Sequence, residues 1–144
     1  MKLLVINGPC MNMLGIREPD IYGTESYESL CARIREYARM RGVETEIYQS
    51  NHEGALIDKI LSAFGNADGI VLNPGAYAHT SVALLDAVRA VGIPTVEVHI
   101  SDVSAREDFR RRSYVREACI AAIIGHGLDG YTEAMELLIM EKEE

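Results

Sequence analysis

The chain has 144 residues, of which 48% are hydrophobic and 25% charged, and a formal net charge of −8. These are the proportions of a soluble globular protein with enough chain for one domain, residues 1–144, around a sizeable core. The negative balance argues against general binding to nucleic acid or anionic membrane, both polyanions, but a small anionic substrate needs only a local cationic pocket.

In chain order, Leu3 to Ile6 reads as a short buried strand. The loop that follows, Asn7 to Gly23, is long against the about 2–6 residues usual between strand and helix. Ser26 to Arg41 reads as a helix, with Tyr27, Leu30, Ile34, Tyr37 and Ala38 at helical spacing and Gly42 as its stop. Val43 to Tyr48 alternates as a second strand. Glu53 to Phe64 forms a helix on Leu56, Ile57, Ile60, Leu61 and Phe64, and Gly69 to Leu72 a third strand. Ser81 to Val91 is a helix capped by Thr80 or Ser81. Thr95 to Ile100 and Cys119 to Ile124 are the fourth and fifth strands, and Leu128 to Lys142 closes the chain as a helix. The segment Ser101 to Glu117 carries the weakest pattern, with room for a helical turn around Arg106 to Arg112. Continuous apolar strands joined by helices point to a parallel sheet covered on both faces, and five of them to an α/β, flavodoxin-like three-layer sandwich.

Three cysteines, Cys10, Cys31 and Cys119, form neither a CxxC pair nor a metal spacing, and an odd number fits reduced thiols. Cys31 reads as helix core and Cys119 as strand core. No run approaches the about 20 apolar residues of a transmembrane helix, and the apolar stretch at the N-terminus is short for a signal peptide. A cytoplasmic protein is expected. GxGxxG, Walker, HExxH and GxSxG motifs are absent.

Ligands of doubly wound sheets bind beyond the carboxyl ends of the strands, where strand order reverses, and the unusual residues lie in the loops that open there. In the first loop, Arg17 and Tyr22 put a cation near a phenol, and an adjacent positive charge favours the ionised form that a general base needs. After the third strand, Asn73-Pro74-Gly75-Ala76-Tyr77-Ala78-His79-Thr80-Ser81 offers an amide and a helix start, although a Pro-Gly turn and an N-cap explain much of it. At the end of the fourth strand, alternation puts Glu97 and His99 on one face, where the carboxylate can orient the imidazole. The run Arg106-Glu107-Asp108-Phe109-Arg110-Arg111-Arg112 is either a solvated face or the source of one arginine turned inward to fork a carboxylate. His52, at a helix start, and His126, in a Gly-His-Gly turn, suggest no chemistry.

Three segments together resemble type II 3-dehydroquinate dehydratase. They are Asn7-Gly8-Pro9 running on to Leu14-Gly15-Ile16-Arg17-Glu18-Pro19 and Tyr22-Gly23, then Asn73-Pro74-Gly75-Ala76-Tyr77 with His79-Thr80-Ser81, and Glu97-Val98-His99-Ile100-Ser101 continuing through Arg106 to Arg110. The resemblance implies a flavodoxin-like fold, a dodecamer of four trimers, no metal and no cofactor, and a place in the shikimate or quinate pathways. It implies an anti elimination of water from 3-dehydroquinate through an enolate. Tyr22 would remove the C2 proton beside Arg17, and His99, oriented by Glu97, would protonate the departing C1 hydroxyl. Asn73, Gly75, His79, Ile100, Ser101 and Arg110 would bind substrate, Asp86 would reach a neighbouring subunit's site, and Gly15 to Gly23 would close as a lid.

The chain departs from the family pattern at Cys10, where the motif reads Asn-Gly-Pro-Asn, at Asp102, which replaces an Asn, and at Ser104, which replaces a frequent His. A thiol is a weak donor, and Asn12 is a candidate to compensate for it on the enolate side. Asp102 adds negative charge near a site for an anion. The departures keep two alternatives open: a catalytically weak homologue that binds a cyclic polyhydroxy carboxylate, and a lyase acting on a related hydroxy acid.

Overall fold

The computed structural model describes residues 1–144. Five parallel strands, β1 (Lys2–Asn7), β2 (Glu44–Gln49), β3 (Gly69–Asn73), β4 (Thr95–His99) and β5 (Ala121–Ile124), lie in the order β2-β1-β3-β4-β5. This is the doubly wound order of the flavodoxin-like fold. After β1 the chain steps outward to β2, then returns across β1 to β3, so strand order reverses at β1 and β3 and a crevice opens above their carboxyl ends.

Strand alternation sorts the core into two layers. Leu3 and Val5 of β1, Val71 of β3 and Val96 and Val98 of β4 face α2 (Tyr27–Arg41) and α5 (Asp129–Glu143), where Ile34 and Tyr131 are fully buried. Leu4, Ile6, Ile70 and Leu72 face the opposite layer, α3 (Glu53–Ser62) and α4 (Val82–Val91). Emptying either layer at one large side chain, as in Ile34→Ala or Leu72→Ala, costs about 2–5 kcal/mol.

The long helices begin and end where local chemistry sets them. Ser26 accepts a hydrogen bond from the Ser29 amide at the start of α2, and Gly42 takes φ +67° at its end. At α4 the cap is Ser81, not Thr80, its hydroxyl accepting from the Leu84 amide. A four-residue helix, α1 (Pro19–Tyr22), lies inside the first long loop.

Most boundaries shift by one or two residues from the sequence pattern, and α3 stops at Ser62 instead of Phe64. The fifth strand begins at Ala121; Cys119 ends a 3-10 turn, Val115–Ala118, and is half-buried beside the sheet instead of lying in a strand. The third strand continues through Asn73, and the fourth stops at His99. The segment between β4 and β5 is a chain of short 3-10 turns, at Val103–Ala105, Asp108–Arg110 and Val115–Ala118.

Candidate active site

The floor of the crevice is polar and buried. Asn7 and Asn73 sit opposite each other in register at the ends of β1 and β3, and both are buried. Between them stands the phenol of Tyr131, from α5. It donates to Asn7 Oδ1 at 2.6 Å and accepts from Asn73 Nδ2 at 2.8 Å. Asn73 Oδ1 in turn accepts from the Gly75 amide at 3.1 Å, so the amide is held at both ends. Burial pushes the Tyr131 phenol far above its usual range and Tyr27, next in the network through Asn7, up to about 12. These phenols are structural, not proton carriers. The first and second loops meet at Gly8, whose amide donates to Asn73 O at 2.8 Å. A Cβ there would lie 2.6 Å from the Pro74 carbonyl oxygen, which only glycine avoids.

At the end of β4, Glu97 and His99 share a face as alternation requires. His99 Nε2 lies 2.5 Å from Glu97 Oε2, and neither side chain is more than 5% exposed. A buried carboxylate is costly unless paired. Burial pushes the Glu97 carboxyl up, but hydrogen bonds and charge from His99 and Arg116 outweigh it and hold the group below its ordinary value. With Nε2–H given to this carboxylate, His99 has Nδ1 left for the cleft. Its acid form is the imidazolium, ion-paired with Glu97.

Tyr22 closes the other side. Its phenolic oxygen accepts from Arg106 Nη1 at 2.5 Å, and the Arg17 guanidinium lies over the ring at 4.7 Å. The hydrogen-bonding cation is therefore Arg106, not Arg17, whose guanidinium acts through the ring face. Two members of the arginine run turn inward, Arg106 and Arg110, with side chains 14% and 20% exposed, whereas Arg111 is 64% exposed. Every charged side chain lining the cleft is cationic: Arg17, Arg106 and Arg110, beside His79 and His99. A chain of net charge −8 thus presents a local site for an anion.

The His79 ring stacks 6.4 Å from His99. Its Nδ1 lies 2.7 Å from the Arg112 carbonyl, which only accepts, so Nδ1 carries the proton. Burial, then the neighbouring His99 and Arg110, lower its pKa against the pull of that carbonyl, so the ring is neutral and Nε2 is free to accept from a hydroxyl. Ser101 Oγ is buried with no protein partner, a polar atom left for a ligand. No three His, Cys, Asp or Glu side chains gather closely enough to hold a metal ion.

Of the residues singled out in the sequence, Cys10, Arg17, Tyr22, Asn73, Gly75, His79, His99, Ile100, Ser101 and Arg110 line this cleft, and Glu97 lies just beneath it. Asn12 does not; it is exposed, beside Gly15 and Thr24. Asp86 is exposed on α4, away from the cleft. Asp102 also lies outside it, accepting from the Ser104 amide and hydroxyl as the cap of a 3-10 turn.

The Dehydroquinase class II family profile matches residues 1–139. This chain belongs to that family. The 3-dehydroquinate dehydratase of Clostridium beijerinckii is 50% identical over 143 residues, covering 99% of this chain and 98% of its own. That of Corynebacterium glutamicum is 53% identical over 137 residues, covering 95% and 94%. Among solved structures, the type II dehydroquinase of Butyrivibrio crossotus is 54% identical and superposes with a TM-score of 0.95 over 96% of this chain and 97% of its own. That of Propionibacterium acnes is 40% identical, with a TM-score of 0.93 over 96% of each.

Within this class II dehydroquinase a cleft residue that sequence reasoning missed is Arg106. It stood among four arginines of one run, and a run without regular periodicity gives no sign of which side chains turn inward. Cys10, by contrast, is where the motif placed it, at the cleft, with its backbone amide held by Asn51 Oδ1 at 3.0 Å.

Proposed function

We propose that this chain is a 3-dehydroquinate dehydratase, a carbon–oxygen lyase that removes water from 3-dehydroquinate through an enolate to give 3-dehydroshikimate. The observation that carries the reading is the pairing, across one cationic cleft, of a phenol oxygen held by a guanidinium with an imidazole backed by a buried carboxylate. Tyr22 takes the C2 proton, and Arg106 and Arg17 stabilise the negative charge on its oxygen. His99 gives a proton from Nδ1 to the departing C1 hydroxyl, and Glu97 holds the ring for that transfer. Neutral His79 accepts from a substrate hydroxyl, while Ser101, Asn73 and Arg110 take the remaining hydroxyls and the carboxylate. No step draws on a metal or cofactor.

Ultraviolet absorbance of the conjugated enone tests this directly. The wild type should turn 3-dehydroquinate over, and Tyr22→Phe should lower kcat by about 10²–10⁴-fold, the range of a lost general base. A second reading, a weak homologue that binds the substrate, is favoured by one observation: a thiol, Cys10, lines the cleft where the family motif has an amide. Poor wild-type turnover restored by Cys10→Asn would favour it. Silence from both proteins would overturn the dehydratase reading.

We infer further that the protein is cytoplasmic, as its three free cysteines suit, and acts in the shikimate or quinate pathway. It assembles from trimers toward a dodecamer, with Asp86 reaching a neighbour's cleft. Exposed Phe64 and Val82 offer apolar surface for such contacts. An active monomer on a sizing column would overturn the assembly.

A further inference from the structure

We propose that Arg116 is a positioning residue of the elimination: by gripping Glu97 with two hydrogen bonds it aims the carboxylate at His99 and sets how tightly the His99–Glu97 pair holds its proton. The inference rests on the reading of His99 as the acid.

Glu97 is fully buried, and its two oxygens are served unequally. Oε2 accepts from His99 Nε2 at 2.5 Å, Ser113 Oγ at 2.8 Å and Arg116 Nη2 at 3.2 Å. Oε1 accepts only from Arg116 Nε, at 3.2 Å. Arg116 is therefore the sole partner of one buried oxygen and the only permanent cation on the carboxylate. Ser113 is neutral, and His99 is charged only in its acid form. Each time His99 gives its proton away, Arg116 is what keeps Glu97 compensated.

The other titratable groups around the pair leave this role to Arg116. Cys119, from the same turn, is pushed up to about 12 by burial and by the Glu97 charge, and stays a neutral thiol. His79 stacks on His99 from the loop after β3 and is neutral, and Arg110 lies beyond it. Arg116 itself lies outside the cleft, on the turn anchored by Val115, which is fully buried against the α3 and α4 layer.

The charge argument fixes a direction. With Arg116 present, part of the Glu97 field is spent on the guanidinium and less of it falls on His99. Without it, the pair binds its proton more tightly.

The test is the pH dependence of kcat for the wild type, Arg116→Gln and Arg116→Lys, with the His99 signal of ¹³C-histidine-labelled enzyme followed in parallel. In Arg116→Gln, the basic limb and the His99 titration should both move up by about one pH unit, a tenfold tighter hold on the proton, with kcat lowered and KM unchanged. Arg116→Lys, which keeps the charge and loses the fork, should return the limb to its wild-type position at reduced kcat. A loss of activity in Arg116→Gln with limb and titration unmoved would show a merely structural residue and overturn the proposal. If Arg116→Gln does not fold, the Lys variant decides, and unchanged limb and kcat would overturn it. If the wild type does not turn over 3-dehydroquinate, the dehydratase reading fails. The His99 titration then upholds or overturns the role of Arg116 without it.

Discussion

At Cys10 the backbone takes φ +68°, in the left-handed region where a Cβ meets the following carbonyl. Glycine avoids that cost, and asparagine softens it by local hydrogen bonding; an Asn-Gly-Pro-Asn motif suits the turn better than Asn-Gly-Pro-Cys. Cys10→Asn is therefore expected to stabilise the protein by roughly 1 kcal/mol, raising Tm by about 2–4 °C in a chain of this size, as thermal unfolding would show. The same reversal explains why Asn12 does not line the cleft. Cys10, in the left-handed region, and the 3-10 turn Met11–Met13 send Asn12 outward. A linear motif reports which residues are near the cleft; the dihedral at Cys10 decides which of them enter it.

Among the elements, β1 and β3 were legible because their runs are apolar on both faces, as strands buried between two helix layers must be. The Glu97–His99 pairing was legible from alternation alone. The Arg116 contact was not, since it spans 19 residues to a turn with no sequence period. Nor was the buried link from α5 to the loops, because Tyr131 reads as one more apolar position of an amphipathic helix. Its hydroxyl is nevertheless the hub of the cleft floor. Tyr131→Phe would leave Asn7 Oδ1 without its close donor and Asn73 Nδ2 without its close oxygen partner. An unsatisfied buried group costs about 1–3 kcal/mol, so denaturant unfolding should show a loss of at least that size. KM should rise with it, as Asn73 is then held only at Oδ1.

For the whole molecule, the displaced pKa values bound the pH range of the fold. Glu97 is held below its ordinary 4.5 and His79 below its ordinary 6.5, so in both cases the folded state binds its proton less readily than the unfolded chain. The His79 contribution is present above pH 6.5 and is lost as pH falls through its folded value. The Glu97 contribution is retained until pH drops below 4.5. Tyr27 has the opposite sign: its stabilisation is complete below pH 10 and disappears as pH rises toward about 12. Unfolding midpoints measured across pH should fall on the acid side, first through the His79 range and then through the Glu97 range, and again on the alkaline side, where Cys119 adds to Tyr27; His79→Asn should remove the first acid loss. At this scale the placement of Tyr22 also has a catalytic consequence. Its hydroxyl bonds to Arg106, which lies 84 residues further along the chain in the segment after β4, while Tyr22 itself rides between Gly15 and Gly23. Tyr22 and its hydrogen-bonding cation thus belong to two separate pieces of backbone, like the halves of an electrical contact, while Arg17 travels with the phenol. Any swing of the first loop away from the sheet breaks the circuit but leaves Arg106, Arg110 and His99 in place to hold an anion. On the proposed reading, the open protein would be a receptor and would become a base only on closing.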